Sequence, residues 1–250
     1  MNEIYRPLTQ EEIITLKKQN CTATDWSHIK VAPHFTTDYI SNVRFSGDIY
    51  LGEFSQSFHL DGGLCKHSGI YYATLHNCRI GNNVLIENIP NYIANYTIGD
   101  DCFIQNVNLI VVEQKSSFGN GTPVSVLNET GGREVPIFNE LSAHLAYIIA
   151  LYRHLPVLTE KLKRLIDRYT EKHSSETGSI GRGVTIVSSG SIRNVIIGDK
   201  CTIDGASRLK NGTINSNETA PVYIGHNVVA EDFIIASGTF FFFLQFISLV

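Results

Sequence analysis

Nine histidines give this chain its candidates for proton transfer near neutral pH, because imidazole is the side chain that ordinarily titrates there. Three of them, His67, His76 and His226, have surroundings that suit a general base taking a proton from a hydroxyl or an amine. His67 lies in Asp61-Gly-Gly-Leu-Cys-Lys-His-Ser-Gly, a stretch that departs from the pattern around it, and such departures gather at functional sites. His76 and His226 each fall two residues past a position of the periodic pattern set out below, in an outward-facing turn. The plainer alternative for each is a surface turn residue. His144, within a helical pattern, reads as packing or solvent-facing.

A second cluster is Asn128-Glu-Thr-Gly-Gly-Arg-Glu. Two adjacent glycines beside Arg133, Glu134 and Asn128 suit a phosphate or sugar ligand, with the Arg133 guanidinium as the fork for an anion. A flexible connector is the competing assignment. Cys65-x-His67 and His76-x-Cys78 invite a zinc reading, since alternate strand residues share a face. Cys102 and Cys201, however, occupy one and the same repeat position, where a small inward residue needs no metal; no metal is expected. The serine-hydrolase elbow, the phosphate-binding loop and the His-Glu-x-x-His helix are all missing.

The elements that must hold these residues follow a period of six. From Ile80 the register runs Ile80, Ile86, Tyr92, Ile98, Ile104 and Ile110. It returns as Ile180, Ile186 and Ile192, then after a shift as Ile197, Ile203 and Leu209, then as Ile224, Ala230 and Ala236. Four residues after each stands a smaller one, such as Val84, Pro90, Cys102, Asn108 or Cys201. Six is neither the helical period nor strict alternation. It fits a short strand and a turn, three such units per coil, with coils stacked at about 4.8 Å. Gly81-Asn82-Asn83, Gly99-Asp100-Asp101, Gly198-Asp199-Lys200 and Gly225-His226-Asn227 supply the turns.

Ile80-Gly-Asn-Asn-Val, Ile98-Gly-Asp-Asp-Cys, Ile197-Gly-Asp-Lys-Cys and Ile224-Gly-His-Asn-Val resemble the hexapeptide repeats of the left-handed β-helix superfamily. Tyr5-Arg-Pro-Leu-Thr, Asn42-Val-Arg-Phe-Ser-Gly, Lys66-His-Ser-Gly-Ile, Leu127-Asn-Glu-Thr-Gly-Gly-Arg-Glu and Leu141-Ser-Ala-His-Leu-Ala-Tyr are similar to an uncharacterised bacterial family of that kind, domain of unknown function 4954. The resemblance implies a mainly β fold: a single-stranded left-handed parallel β-helix of about seven coils. It also implies an acyltransferase-like activity, with acetyl-coenzyme A or another acyl-coenzyme A as co-substrate and a sugar or nucleotide-sugar as acceptor. Superfamily members usually work as trimers, with a histidine base near a groove between coils. A non-catalytic sugar-phosphate-binding or scaffold module stands as the alternative, because fold alone does not dictate chemistry.

The expected layout is an N-terminal cap over 1–42, a first repeat block over 43–127, a loop and helical insertion over 128–178, and a second block over 179–239. Thr9 and Glu12 form a capping-box pattern opening a helix over 9–19. Spacings of three and four from Leu141 to Tyr169, interrupted by Pro156, predict two helices or one bent one. Phe118-Gly-Asn-Gly-Thr reads as a hairpin turn.

The formal net charge of −4 gives no basic footprint for nucleic acid. The odd cysteine count and the absence of a signal-like start favour a cytoplasmic setting over a disulfide framework. The apolar run over 240–250 is too short to span a bilayer, which takes about 20 residues. It reads as a truncation or frameshift scar, with a terminal strand as the alternative.

Overall fold

Ile98 and Ile180 are separated by the whole helical insertion in sequence, yet they stand side by side in adjacent parallel strands. The computed structural model describes residues 5–125, 134–242 and 246–248. Within them, eighteen strands join one sheet, which is almost wholly parallel.

Three columns of buried apolar residues run through it, each built by in-register pairing. One carries Leu51, Ile80, Ile98, Ile180, Ile197, Ile214 and Ile235. A second carries Ile40, Ile70, Ile86, Ile104, Ile186, Ile203 and Ile224. The third carries Phe45, Leu75, Ile93, Ile110, Ile192, Leu209 and Ala230. All of these side chains are buried, in one continuous core. Isoleucine fills most of these positions because its stiff β-branched side chain packs well on a pleated surface.

The register differs from the strict sixfold expectation in three places. Ile93 enters the third column in place of Tyr92, which is 41% exposed. The corner before it is one residue longer, so Ile89 turns inward and Pro90 is exposed. Likewise Ile235 replaces Ala236, which faces out, and Val107 is buried where Asn108 was expected. The Ile-Gly turns do not all share a corner either. Those after Ile80, Ile98 and Ile197 follow the first column, whereas Gly225-His226-Asn227 follows Ile224 in the second.

Left-handed backbone marks the corners. Gly47, Asn77, Asn95, Asn194, Asn211 and Asp232 all have φ between 50° and 63° or, at Asn77, 49°. Pairing on either side places them in one column. Asparagine tolerates this region best among residues with a side chain, and here its amide bonds along the column, as Asn77 to Asn95 (3.2 Å) and Asn211 to Asp232 (2.5 Å) show.

Helix α1 (Gln10–Lys18) carries the expected reciprocal box between Thr9 and Glu12, reinforced by Arg6 on the Glu12 carboxylate (2.7 Å). Helices α2 (Ala143–Leu151) and α3 (Pro156–His173) form the insertion, with Pro156 in the first turn of α3, where its missing amide costs nothing. They enclose their own small core of Val135, Phe138, Ile149, Ala150 and Ile166. Phe118-Gly-Asn-Gly-Thr is not the hairpin connection: the antiparallel pair is Pro123–Ser125 with Glu134–Pro136, and Phe118 is instead fully buried. Its carbonyl accepts from Thr213 Oγ1 (2.7 Å), and Gly119 N–H donates to Asn211 Oδ1 (2.9 Å), so the insertion is docked on the second half of the ladder. The apolar run at the C-terminal end continues the pairing, with Phe241 beside Ile224 and Ile247 beside Ala230. No described helix is long and apolar enough to cross a membrane.

Candidate functional site

The insertion leaves the third column after Val111 and rejoins the first at Gly178. Where it departs, the corner expected after Ile110 is missing, and an open groove of about 880 Å³ lies along the column. The strand Gly69–Ile80 supplies His76, Asn77 and Arg79, and the strand Ile40–Leu51 supplies Asp48 and Tyr50. Asn95 and Thr97 extend the same wall, while Glu113, Lys115 and Glu176 face it from the insertion.

His76 is fixed by a local irregularity. Ser46 pairs with His76 but Ile49 pairs with Cys78, so the earlier strand carries one extra residue. That bulge contains Gly47 at φ +63°, and a Cβ there would lie 1.9 Å from Asn77 Oδ1. Bulges re-aim side chains next to sites. Here the bulge lets Asn77 Oδ1 accept the Asp48 N–H (3.1 Å) while its amide donates to His76 Nε2 (3.0 Å). On the other side His76 Nδ1 lies 2.8 Å from Ser46 Oγ, whose hydroxyl points to the Leu75 carbonyl (3.4 Å). The pattern selects the tautomer with the proton on Nδ1 and the lone pair on Nε2, where it accepts from the Asn77 amide.

Most charges around the groove are already matched. His28 Nδ1 sits 2.7 Å from Asp48, and that hydrogen bond, more than any other cause, raises the His28 pKa. Glu113 is paired with Arg193, and Lys115 with Glu171. Arg79 and Glu176 remain without an ion-pair partner among the described residues.

The three histidines singled out by sequence are not assembled into one site. His67 lines a separate pocket of about 230 Å³ with Lys66, Tyr71 and Glu87; its ring stacks on Tyr39 at 3.5 Å and its Nδ1 donates to the Ser68 carbonyl (2.8 Å). His226 is exposed in its turn, 3.5 Å from Asp204. Asn128 and Arg133 lie outside the described residues. Glu134 opens an antiparallel strand and its carbonyl accepts from Arg153 (3.3 Å), away from the groove lining.

Cys65 is exposed and sits 3.0 Å from His59 Nδ1, its cross-strand neighbour, rather than pairing with His67. Cys78, Cys102 and Cys201 are buried, and burial pushes their thiols up to about 11, 12 and 12. They fill space in the core and are poor nucleophiles. Among the described residues no three His, Cys, Asp or Glu side chains converge where a metal could sit.

Ser46, Asp48, Asn77 and Arg79 were not anticipated as site residues. The Gly47-Asp48 pair within an otherwise apolar-patterned strand was the available signal, since glycine there marks a bulge.

Fold and groove together define a mainly β protein whose long parallel ladder carries an open polar cleft at the root of a helical insertion. The chain belongs to the family described as Domain of unknown function (DUF4954), which matches residues 5–242. It is also similar to an uncharacterized protein of Treponema pallidum (strain Nichols), 26% identical over 245 residues, covering 94% of this chain and 34% of that protein. The chain thus spans about a third of the length of the curated relative it matches.

Proposed function

We propose that the three columns wrap as one left-handed β-helix of the hexapeptide-repeat type, and that the His76 groove is an acyl-transfer site. Support for the wrapping comes from pairing partners that lie 17 or 18 residues apart, as three units of about six demand. The donor is acetyl-coenzyme A or another acyl-coenzyme A, and the acceptor a hydroxyl or amine of a sugar or nucleotide-sugar. The entering acceptor displaces the Asn77 amide from His76 Nε2, which then takes the acceptor's proton as its oxygen or nitrogen attacks the thioester carbonyl. Backbone amides of the groove stabilise the oxyanion. The carbon–sulfur bond then breaks, and the coenzyme A thiolate leaves with the proton returned from the imidazolium. A trimer, the usual assembly of such folds, would place a neighbouring subunit against the groove.

One observation carries this reading: an imidazole lining an 880 Å³ cleft, with Nδ1 held by Ser46 and the basic Nε2 covered by a single Asn77 amide. Thiol release is followed with acetyl-coenzyme A and nucleotide-sugars, for the parent chain and for His76→Asn. Turnover should fall by about 10²–10⁴ in the variant, the range general-base catalysis supplies, while His67→Asn and His226→Asn retain it. Equal turnover in His76→Asn removes the assignment.

The second reading, a non-catalytic sugar-phosphate-binding or scaffold module, draws support from the neutral partners of His76. Ser46 and Asn77 hold the ring, and no carboxylate among the described residues orients it. Ligand binding without thiol release would decide for that module.

A further inference from the structure

We propose that Arg79 is an anion-binding residue of the groove and that its ligand is a diphosphate. Its guanidinium lies 4.9 Å from the Tyr5 ring centroid and 5.1 Å from that of Tyr50. The two rings meet edge to face at 5.2 Å. Two rings so nearly perpendicular cannot both lie flat on the guanidinium, but contacts with ring faces leave its N–H donors without an oxygen acceptor. No carboxylate among the described residues takes them up. An exposed arginine is ordinarily mobile; this one is held by two aromatic walls at the side of a cleft, so a bidentate ligand finds its fork already placed.

The other charges around the cleft sharpen the assignment. Lys115 and His28 are committed to Glu171 and Asp48, which leaves Arg79 as the cation available to a ligand among the lining residues described. Glu176, on the insertion side, is the unmatched carboxylate and repels an anion. A ligand therefore sets its anionic end on Arg79 and its neutral, hydroxyl-bearing end toward Glu176. Arg79 is three residues from His76, at most about 11 Å of chain, a separation that a phosphate joined to a single sugar can bridge. A cleft of 880 Å³ lies in the range that holds nucleotide-sized ligands.

Only the choice of ligand rests on the transferase reading. A diphosphate is common to nucleotide-sugars and to coenzyme A. Calorimetric titration of the full chain with inorganic pyrophosphate, uridine diphosphate and coenzyme A tests it. Arg79→Gln should weaken binding at least about tenfold, the loss of one charge-assisted fork. Arg79→Lys should recover only part, since an ammonium neither stacks flat nor forks. Tyr50→Leu keeps the charge but loosens its seat, and should fall between. Arg164→Gln, exposed midway along α3 and outside the groove lining, should bind as the parent does.

Tight uridine diphosphate with weak coenzyme A assigns the site to the acceptor, and the reverse assigns it to the donor. Binding that depends on Arg79 without thiol release sustains this site while ending the transferase. Thiol release with undiminished binding in Arg79→Gln does the opposite. Failure of the parent chain to bind any of the three probes, like binding unaffected by Arg79→Gln, overturns the proposal.

Discussion

Asn77 and Asn95 in the first half of the ladder, and Asn194 and Asn211 in the second, stand at equivalent left-handed corners of one column. Their surroundings differ. The Asn194 and Asn211 side chains are met by the insertion, through the Glu113 N–H (3.0 Å) and the Gly119 N–H (2.9 Å). Asn77 and Asn95 line the open groove, where the insertion meets them only at its root, through the Val112 carbonyl on the Asn95 amide (2.8 Å). Identical backbone geometry thus gives a docking seat in one half and a cleft in the other. The repeat builds the column, and the point where a non-repeating segment leaves it decides which stretch stays open. A site on a repetitive scaffold should therefore be sought at its interruptions, consistent with function residing on segments held by a rigid frame.

The largest effects test whether the two halves share one core. Ile98 belongs to the open half and Ile214 to the covered one, and both are buried. Ile98→Ala and Ile214→Ala should each cost about 2–5 kcal/mol, the loss of a buried aliphatic plus its cavity. Tyr92→Ala, at an exposed position, should change stability by about 0.5 kcal/mol or less. Denaturant titration followed by circular dichroism gives all three. Two separate transitions, or a cost confined to one half, would show that the halves fold independently and that their comparison is between domains.

A smaller effect compares two glycine corners. Gly47 (φ +63°) would place a Cβ 1.9 Å from Asn77 Oδ1, and Gly205 (φ +74°) would place one 2.0 Å from His226 Nδ1. Asn77 is tied to Asp48, His76 and Asn95, whereas His226 is exposed and can swing into solvent. Gly47→Ala should cost about 2–4 kcal/mol from combined strain and clash. Gly205→Ala should cost about 1–2 kcal/mol, the backbone strain alone. Equal costs would mean that Asn77 gives way as easily as His226, and the His76 seat would not be rigid.

Much of the ladder was legible in the sequence because burial repeats: an isoleucine column must stay inward, so its spacing survives in the chain. Tyr92 misled because the corner after Ile89 is one residue longer, and an exposed tyrosine carries the same apolar signature as a buried one. His76 could be named as a residue type suited to proton transfer. Its partners could not, since Ser46 reaches it across thirty residues of sequence by strand pairing, and the pairing register shifts there at a bulge. Arg79 carried no local mark at all: its meaning comes from Tyr5 and Tyr50, which reach it from two different elements.

The smallest effect is electrostatic and belongs to the open half. His28 faces Asp48 at 2.7 Å, with Asp25 at 4.0 Å adding to the attraction and Lys30 opposing it. The pair raises the His28 pKa above the ordinary 6.5, with the Asp48 hydrogen bond as the main cause. A raised imidazole contributes stability fully below its unfolded value, and that contribution fades as pH climbs through the folded value. The same titration leaves Asp48 without its cation at the groove margin, so anion binding there should weaken over the same interval, above 6.5. Proton NMR of the His28 ring should give a midpoint above 6.5 in the parent chain, falling toward it in Asp48→Asn. The ratio of the parent's pyrophosphate affinity to that of Asp48→Asn, in which the probe's own ionisation cancels, should fall across that interval. A His28 midpoint indifferent to Asp48 would break the link between the corner's ion pair and the groove's charge, leaving the open half to differ from the covered one by shape alone.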